Sequence, residues 1–281
     1  MRRGPGAPRS RASLGLATLV LLSCVAAPAA AHEPVFGVGP ETIYKGGVGI
    51  ELGYGYDDLG GRRDQLLNTE LIYGATKDLS LTLEVPTLLR RETGLGSTSG
   101  LGDVLLRGKY RFWRRDRLGA SERASVLLGV KFPTGAHHRS VRRGSGSFDA
   151  LAGLSVAHES RRWYGFGTFR YVWRTEHDGF DRGDRVLFDV AAGFRPWLTE
   201  YLEPDLVLLL EWNGEWEGRD RLRGSRLGST GGFTGWLGPT ALLSYRNWMF
   251  KTGVQLPAVS DLNGGQKRPD LRTLAAIEYH F

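Results

Sequence analysis

The sequence predicts an all-β fold: a transmembrane antiparallel β-barrel of about twelve strands, with both termini periplasmic. Three observations carry that reading. Apolar and polar residues alternate with the period of two that a strand imposes, over segments of nearly equal length. The breaks between segments alternate between tight turns and long polar loops. The chain also holds 40 Gly, 8 Trp, 10 Tyr and 12 Phe, a load that suits short strands, tight turns and aromatic bands better than a helical enzyme.

The elements follow in order. Met1 to Ala31 reads as a secretory signal, with Arg2, Arg3, Arg9 and Arg11 as its basic start, Leu14 to Val25 as its apolar core and Ala29-Ala30-Ala31 as a small-residue cleavage site. The expected division is therefore 1–31 signal peptide and 32–281 barrel. A second reading takes "LLSC", Leu21 to Cys24, as a lipoprotein cleavage site. No later apolar run approaches the roughly 18 residues of a spanning helix; the longest is Leu206 to Leu210.

The first strand shows the pattern best. In "YKGGVGIELGYGY", Tyr44, Val48, Ile50, Leu52, Tyr54 and Tyr56 share one face, while Lys45, Glu51 and glycines take the other. The same alternation recurs near 65–74, 78–89, 102–113, 122–133, 148–158, 162–174, 185–195, 204–216, 234–245, 248–257 and 270–281. Each segment is near the roughly 9 to 11 residues of a tilted membrane-crossing strand. Ala75 to Asp78 and Arg246-Asn247 are tight breaks; 90–100, 134–147, 217–232 and 258–269 are long ones. A soluble β-sandwich would alternate similarly, but aromatic residues at strand ends (Tyr73, Tyr110, Phe112, Trp173, Trp212, Trp248) fit interfacial girdles.

With the apolar face toward lipid, the polar face lines a lumen. The candidates there are Glu51, Glu70 and Glu84 on the first three strands, then Arg107, Lys109, Arg111, Lys131, Arg170 and Arg174 on strands four to seven, and Glu211 on the ninth. An acidic wall opposite a basic wall would orient polar solutes; the alternative is that these charges pair across a narrow barrel and close it. Leu66, Ile72, Leu105, Val172, Val207 and Leu209 are apolar inward positions, too few to define a greasy path.

Composition excludes other classes. The whole chain carries 37 basic and 30 acidic residues, a net charge of +7. Four of the basic residues lie in the signal, leaving 33 against 30, or +3, and no case for a nucleic-acid partner. Cys24, also in the signal, is the single cysteine, so neither disulfides nor thiol chemistry is expected beyond it. No G-x-S-x-G run and no phosphate-loop spacing is present, so neither an enzyme nor a cofactor is expected. His32 and His280 are candidates for a metal pair, since an amino-terminal histidine offers an amine beside an imidazole, a chelate for Cu(II). Two further histidines, His137 and His138, fall in a loop with no nearby carboxylate in the sequence.

"SGLGDVLLRGKYRF" (Ser99 to Phe112), "GVKFPTG" (Gly129 to Gly135) and "GVQLPAVSDLNG" (Gly253 to Gly264) resemble the recurrent segments of the outer-membrane transporters named after the meta-pathway of phenol degradation. The resemblance spans essentially the whole mature chain. It implies an outer-membrane location and a channel or transporter for passive passage of small solutes, hydrophobic or aromatic compounds among them. The closing Tyr279 and Phe281 resemble the signal by which barrel-assembly machinery recognises its clients. A non-conducting barrel is the alternative expectation, structural or surface-binding, with loop arginines such as Arg139, Arg142 and Arg221 touching lipopolysaccharide phosphates beside outer-membrane lipid; a copper-linked protein is another.

Overall fold

The computed structural model describes residues 33–138, 140–199 and 203–281. The expected signal, His32 and Arg139 lie outside the described residues. Twelve long strands are present: β1 (Val48–Asp58), β2 (Arg62–Gly74), β3 (Leu79–Thr93), β4 (Val104–Arg117), β5 (Ala120–Phe132), β6 (Asp149–Ser160), β7 (Trp163–Arg174), β8 (Arg185–Phe194), β9 (Asp205–Glu217), β10 (Gly232–Tyr245), β11 (Trp248–Leu262) and β12 (Leu271–His280). Each pairs antiparallel with its chain neighbours, and β12 pairs with β1 from Gly49↔His280 to Asp58↔Leu271. The sheet closes on itself and has no free edge, as a barrel in lipid requires.

The period of two sets which side chains point where. Along β9, Val207, Leu209, Glu211 and Asn213 are buried inside, whereas Leu208, Leu210 and Trp216 face out. Leu52, Leu71, Leu83, Leu106, Leu128, Leu154, Val190, Leu237 and Leu256 continue that outer face around the molecule. So continuous an apolar surface matches the lipid-facing belt of an outer-membrane barrel. Phe188, Trp212 and Phe233 cluster on it, with Phe188 stacked on Phe233 at 5.8 Å.

Most strand limits fall within a few residues of those the alternation predicts, as for β8, and the differences have local causes. β1 starts at Val48 rather than Tyr44, because Gly46 and Gly47 turn the chain there (φ of Gly46 is 77°) and exchange backbone hydrogen bonds with Gly74. Lys45 is accordingly exposed before the strand and does not line the lumen. The expected loop at 90–100 is mostly ordered: β3 runs on to Thr93, and a short strand, Gly96–Leu101, folds back against it. Loops 175–184 and 218–231 join through a small sheet of Phe180–Asp181, Arg221–Leu222 and Ser225–Arg226.

Tight turns at 75–78, 118–119, 161–162 and 246–247 mark one end of the barrel. The carboxyl terminus shares that end. Phe281 N donates to Val48 O at 2.9 Å, and the Tyr44 hydroxyl bonds the Phe281 carbonyl. Tyr279 packs on Trp248 (4.5 Å) and Phe281 (4.8 Å), an aromatic cluster at this rim. The opposite end carries the long connections 94–103, 133–148, 175–184, 218–231 and 263–270.

Candidate functional site

The segment before β1 lies inside the barrel, and it is the lumen's main occupant. Residues 33–43 include Pro34, Pro40, Gly37 and Gly39, which disfavour a strand, so the backbone groups bond to wall side chains instead. Val35 N and Phe36 N donate to the two oxygens of Glu211 at 2.7 and 2.9 Å, and Thr240 Oγ1 donates to the same carboxylate at 2.6 Å. Ser155 and Thr168 both donate to the Val38 carbonyl at 2.6 Å, Ser125 donates to Pro40 O at 2.6 Å, and Ile43 N donates to Ser80 at 3.0 Å. Ion pairs of Lys109 with Glu33 and of Arg123 with Glu41 (2.9 Å) hold the segment from the other side.

Apolar contacts complete the seat. Val35 joins a buried cluster of Ala157, Tyr164, Phe166, Ala191, Val207, Leu209 and Leu242, with Phe36 and Leu274 packed against it. Gly253 makes this possible: a Cβ there would lie 2.7 Å from the Phe36 ring. The Arg272 guanidinium covers Phe36 and Trp236, each at 4.8 Å from the ring centre. From Arg272 a chain of hydrogen bonds runs through Gln255, Asn213 and Asp189 to Arg170, across five strands. Glu211, which grips two adjacent backbone N–H groups, is fully buried. Replacing it with Gln turns one acceptor into a donor facing a donor, and loss of such buried bonds costs about 1–3 kcal/mol. Glu211→Gln is therefore expected to loosen the segment while leaving the barrel folded, seen as faster proteolysis near residues 33–44.

Of the ten residues expected in the lumen, Glu51, Glu70, Arg107 and Lys109 border the space beside the segment, Glu84, Lys131, Arg170 and Arg174 the space under the long loops, and Glu211 holds the segment, while Arg111 turns to the 75–78 turn; their charge pattern differs from the expected opposed walls. The acidic side is real: by register Glu278 faces Glu51, Glu51 faces Glu70, and Glu70 faces Glu84, a row across β12, β1, β2 and β3. Lys251 neutralises Glu51 (2.6 Å) and Glu278 (2.7 Å), and Arg107 reaches Glu70 at 3.4 Å. The basic residues are not a bare wall, because each has a carboxylate: Arg170 with Asp189 (2.6 Å), Arg174 with Glu217, Lys131 with Asp149 and Asp103, and Arg111 with Asp78 (2.8 Å) on the 75–78 turn. Asp78 is held below the usual carboxylate range by its bond from Arg111. Pairing along the wall, between adjacent or next-but-one strands, thus replaces the transverse field.

Other sites separate. His280 donates to or accepts from Glu278 at 2.6 Å, its predicted companion His32 being undescribed. His158 points outward and is half exposed. Sequence reasoning missed the occupying segment and its hydroxyl seats, Ser80, Ser125, Ser155 and Thr168; small polar residues at inward positions were the available signal.

Two cavities occupy the rest of the lumen, and the segment borders the narrower of them. A cavity of about 700 Å³ opens among the long loops and is lined by Arg91, Asp103, Lys131, Arg170, Arg174 and Glu84, among others. A narrower one of about 170 Å³ runs between the segment and the glutamate row, past Lys251, to Asn247 and Phe281 at the tight-turn end. Arg107 lines both.

These features define a twelve-stranded barrel of the outer-membrane type whose lumen is partly occupied by residues 33–43, the segment before β1. The chain belongs to the family described as "Putative MetA-pathway of phenol degradation", whose model matches residues 31–207, which agrees with the resemblance read from the sequence. Among solved structures it is similar to the COG4313 outer membrane channel from Pseudomonas putida F1, with a TM-score of 0.74 at 14% identity over 89% of this chain and 100% of that one. A NanC porin is similar with a TM-score of 0.51 at 9% identity, over 82% of this chain and 98% of that one. These likenesses are of fold. A search of curated proteins returns no match of comparable significance.

Proposed function

We propose that the protein is a passive outer-membrane channel for small solutes, closed in this conformation by residues 33–44. The observation that carries the reading is a pair of cavities that share Arg107 in their walls, one beside that segment and running to the tight-turn end, the other opening among the long loops. The names of the similar structures, a channel and a porin, support it. An aromatic or amphipathic solute is supported by the family's description and by the seat itself. With the segment displaced, Phe166, Val207, Leu209 and Leu242 would face the lumen opposite the glutamate row. In this orientation the tight-turn end and both termini are periplasmic, Tyr279 and Phe281 serve recognition by the assembly machinery, and the loop arginines meet lipopolysaccharide.

Single-channel recording of the refolded barrel in a planar bilayer tests the reading, and discrete steps are expected; a silent, fully inserted barrel would favour a non-conducting role. The steps should depend on pH. Glu41, which precedes β1, is pushed up to about 8 by burial and by Glu159 and Glu33, against the pull of Arg123 and Lys109. Displaced into water it titrates near its ordinary 4.5. The docked state binds the extra proton, so docking weakens as pH rises from about 4.5 to about 8 and changes no further above that. Open probability is expected to climb across this window and then level off. Glu41→Gln, which keeps an acceptor for Arg123, is expected to flatten the profile.

A further inference from the structure

The long loops hold a cluster that the lumen does not use. His137, from the 133–148 loop, and His177 and Asp178, from the 175–184 loop, each offer a ligand atom, and these atoms all lie within 4.8 Å of one another. The His137 and His177 rings meet edge to face at 4.7 Å, and His138 leans on His137 at 3.7 Å. His177 Nε2 is 3.2 Å from Asp178 Oδ2. The carboxylate that the sequence around His137 lacks thus arrives from a different loop.

Each loop is shaped to present its part. Asp103 accepts from Gly135 N (3.0 Å), Ser145 N (2.7 Å) and Ser145 Oγ (2.8 Å), and Arg143 N returns to Ala136 O at 2.9 Å. That folds the first loop so that Gly146 lies beside both imidazoles. Gly146 has φ 78°, and a Cβ there would come 2.5 Å from His177 Cδ2 and 3.1 Å from His137 Cδ2, so a glycine leaves the rings their room. In the second loop, His177 and Phe180 exchange both backbone hydrogen bonds (3.0 and 2.9 Å) around Asp178 (φ 53°) and Gly179 (φ 74°). Positive φ at both central residues marks the mirror-image tight turn.

We propose that His137, His177 and Asp178 bind a divalent transition-metal ion of the zinc type. Two imidazoles and a carboxylate are a donor set that zinc takes, with the fourth position left for water or for His138. Bonds of about 2.0–2.1 Å place tetrahedral donors about 3.4 Å apart. The cluster closes to that spacing by side-chain rotation, Asp178 being exposed and the two histidines only part-buried. The bound ion ties together two loops whose Arg143, Ser145 and Arg182 line the outer cavity, and so fixes the shape of the mouth.

The test is calorimetric titration of ZnCl₂ into the folded barrel in detergent, with limited proteolysis of the loops with and without zinc. One zinc site is expected, protecting both loops from cleavage. His177→Ala and Asp178→Asn are each expected to weaken it by at least about tenfold, while His32→Ala and His280→Ala leave it unchanged. Heat-modifiable migration on gels shows that each variant keeps its barrel, and Gly146→Ala gives a second route, crowding the rings without removing a ligand. Wild-type affinity in His177→Ala, or loss of binding in His32→Ala or His280→Ala, overturns the assignment.

Discussion

Deletion of residues 33–44 is expected to raise single-channel conductance by on the order of fivefold and to turn its charge preference toward anions. The segment runs from Glu211 and Thr240 on one side of the lumen to Ser125, Ser155 and Thr168 on the other. Removing it widens the space of about 170 Å³ beside it, which adjoins at Arg107 the space of about 700 Å³ among the long loops, and so gives one broad water-filled path. The wall survives, because the strand pairing from β1 round to β12 involves none of the deleted residues. The hydroxyls that lose their carbonyl partners face water instead and so keep hydrogen bonds. Charge selectivity follows from what leaves: with Glu33 gone, Lys109 loses its carboxylate, and with Glu41 gone Arg123 retains its pair with Glu159. Conductance unchanged by the deletion, in protein shown to be folded, would mean that ions already bypass the segment or never enter. Glu211→Gln should fall between the two forms, with brief openings to the larger level.

The contrast between what the sequence showed and what it hid has a physical cause. β8 was expected at 185–195 and occupies Arg185–Phe194, because a strand between lipid and lumen must alternate, and the alternation is written residue by residue. The inner positions of Glu51, Arg107, Arg170 and Glu211 follow from the same rule. Residues 33–43 obey no such rule. Their bonds go to side chains far along the chain, such as Glu211 and Ser155, and no local period records a contact of that range. The expected basic wall failed for a related reason. Its partners, Asp78, Asp189 and Glu217, are legible as residues, but pairing depends on register and depth. The His137, His177 and Asp178 cluster was hidden too, since it forms between two loops and needs a glycine at 146.

Lys251→Met is expected to cost the barrel about 3–5 kcal/mol and to make the conducting state cation-preferring. Among the described residues, Lys251 is the one cation placed against two members of the glutamate row, Glu51 at 2.6 Å and Glu278 at 2.7 Å. All three side chains are less than 15% exposed, at 9%, 14% and 8%, so water screens them weakly. The register leaves the row no means of spreading, because Glu278, Glu51, Glu70 and Glu84 are direct cross-strand neighbours, and like charges so placed repel. Arg107 is already engaged with Glu70, and His280 with Glu278. The methionine keeps most of the lysine's volume, so the loss reports charge rather than packing. Adding Glu278→Gln should return much of the stability and leave the selectivity change smaller. Urea midpoints in detergent and reversal potentials in a salt gradient read the two effects separately. A single variant as stable as the parent would show that the row is hydrated in the resting channel, so that the glutamates line a working path rather than lock it; a large loss would make Lys251 the clasp that holds the barrel's first and last strands together across their seam.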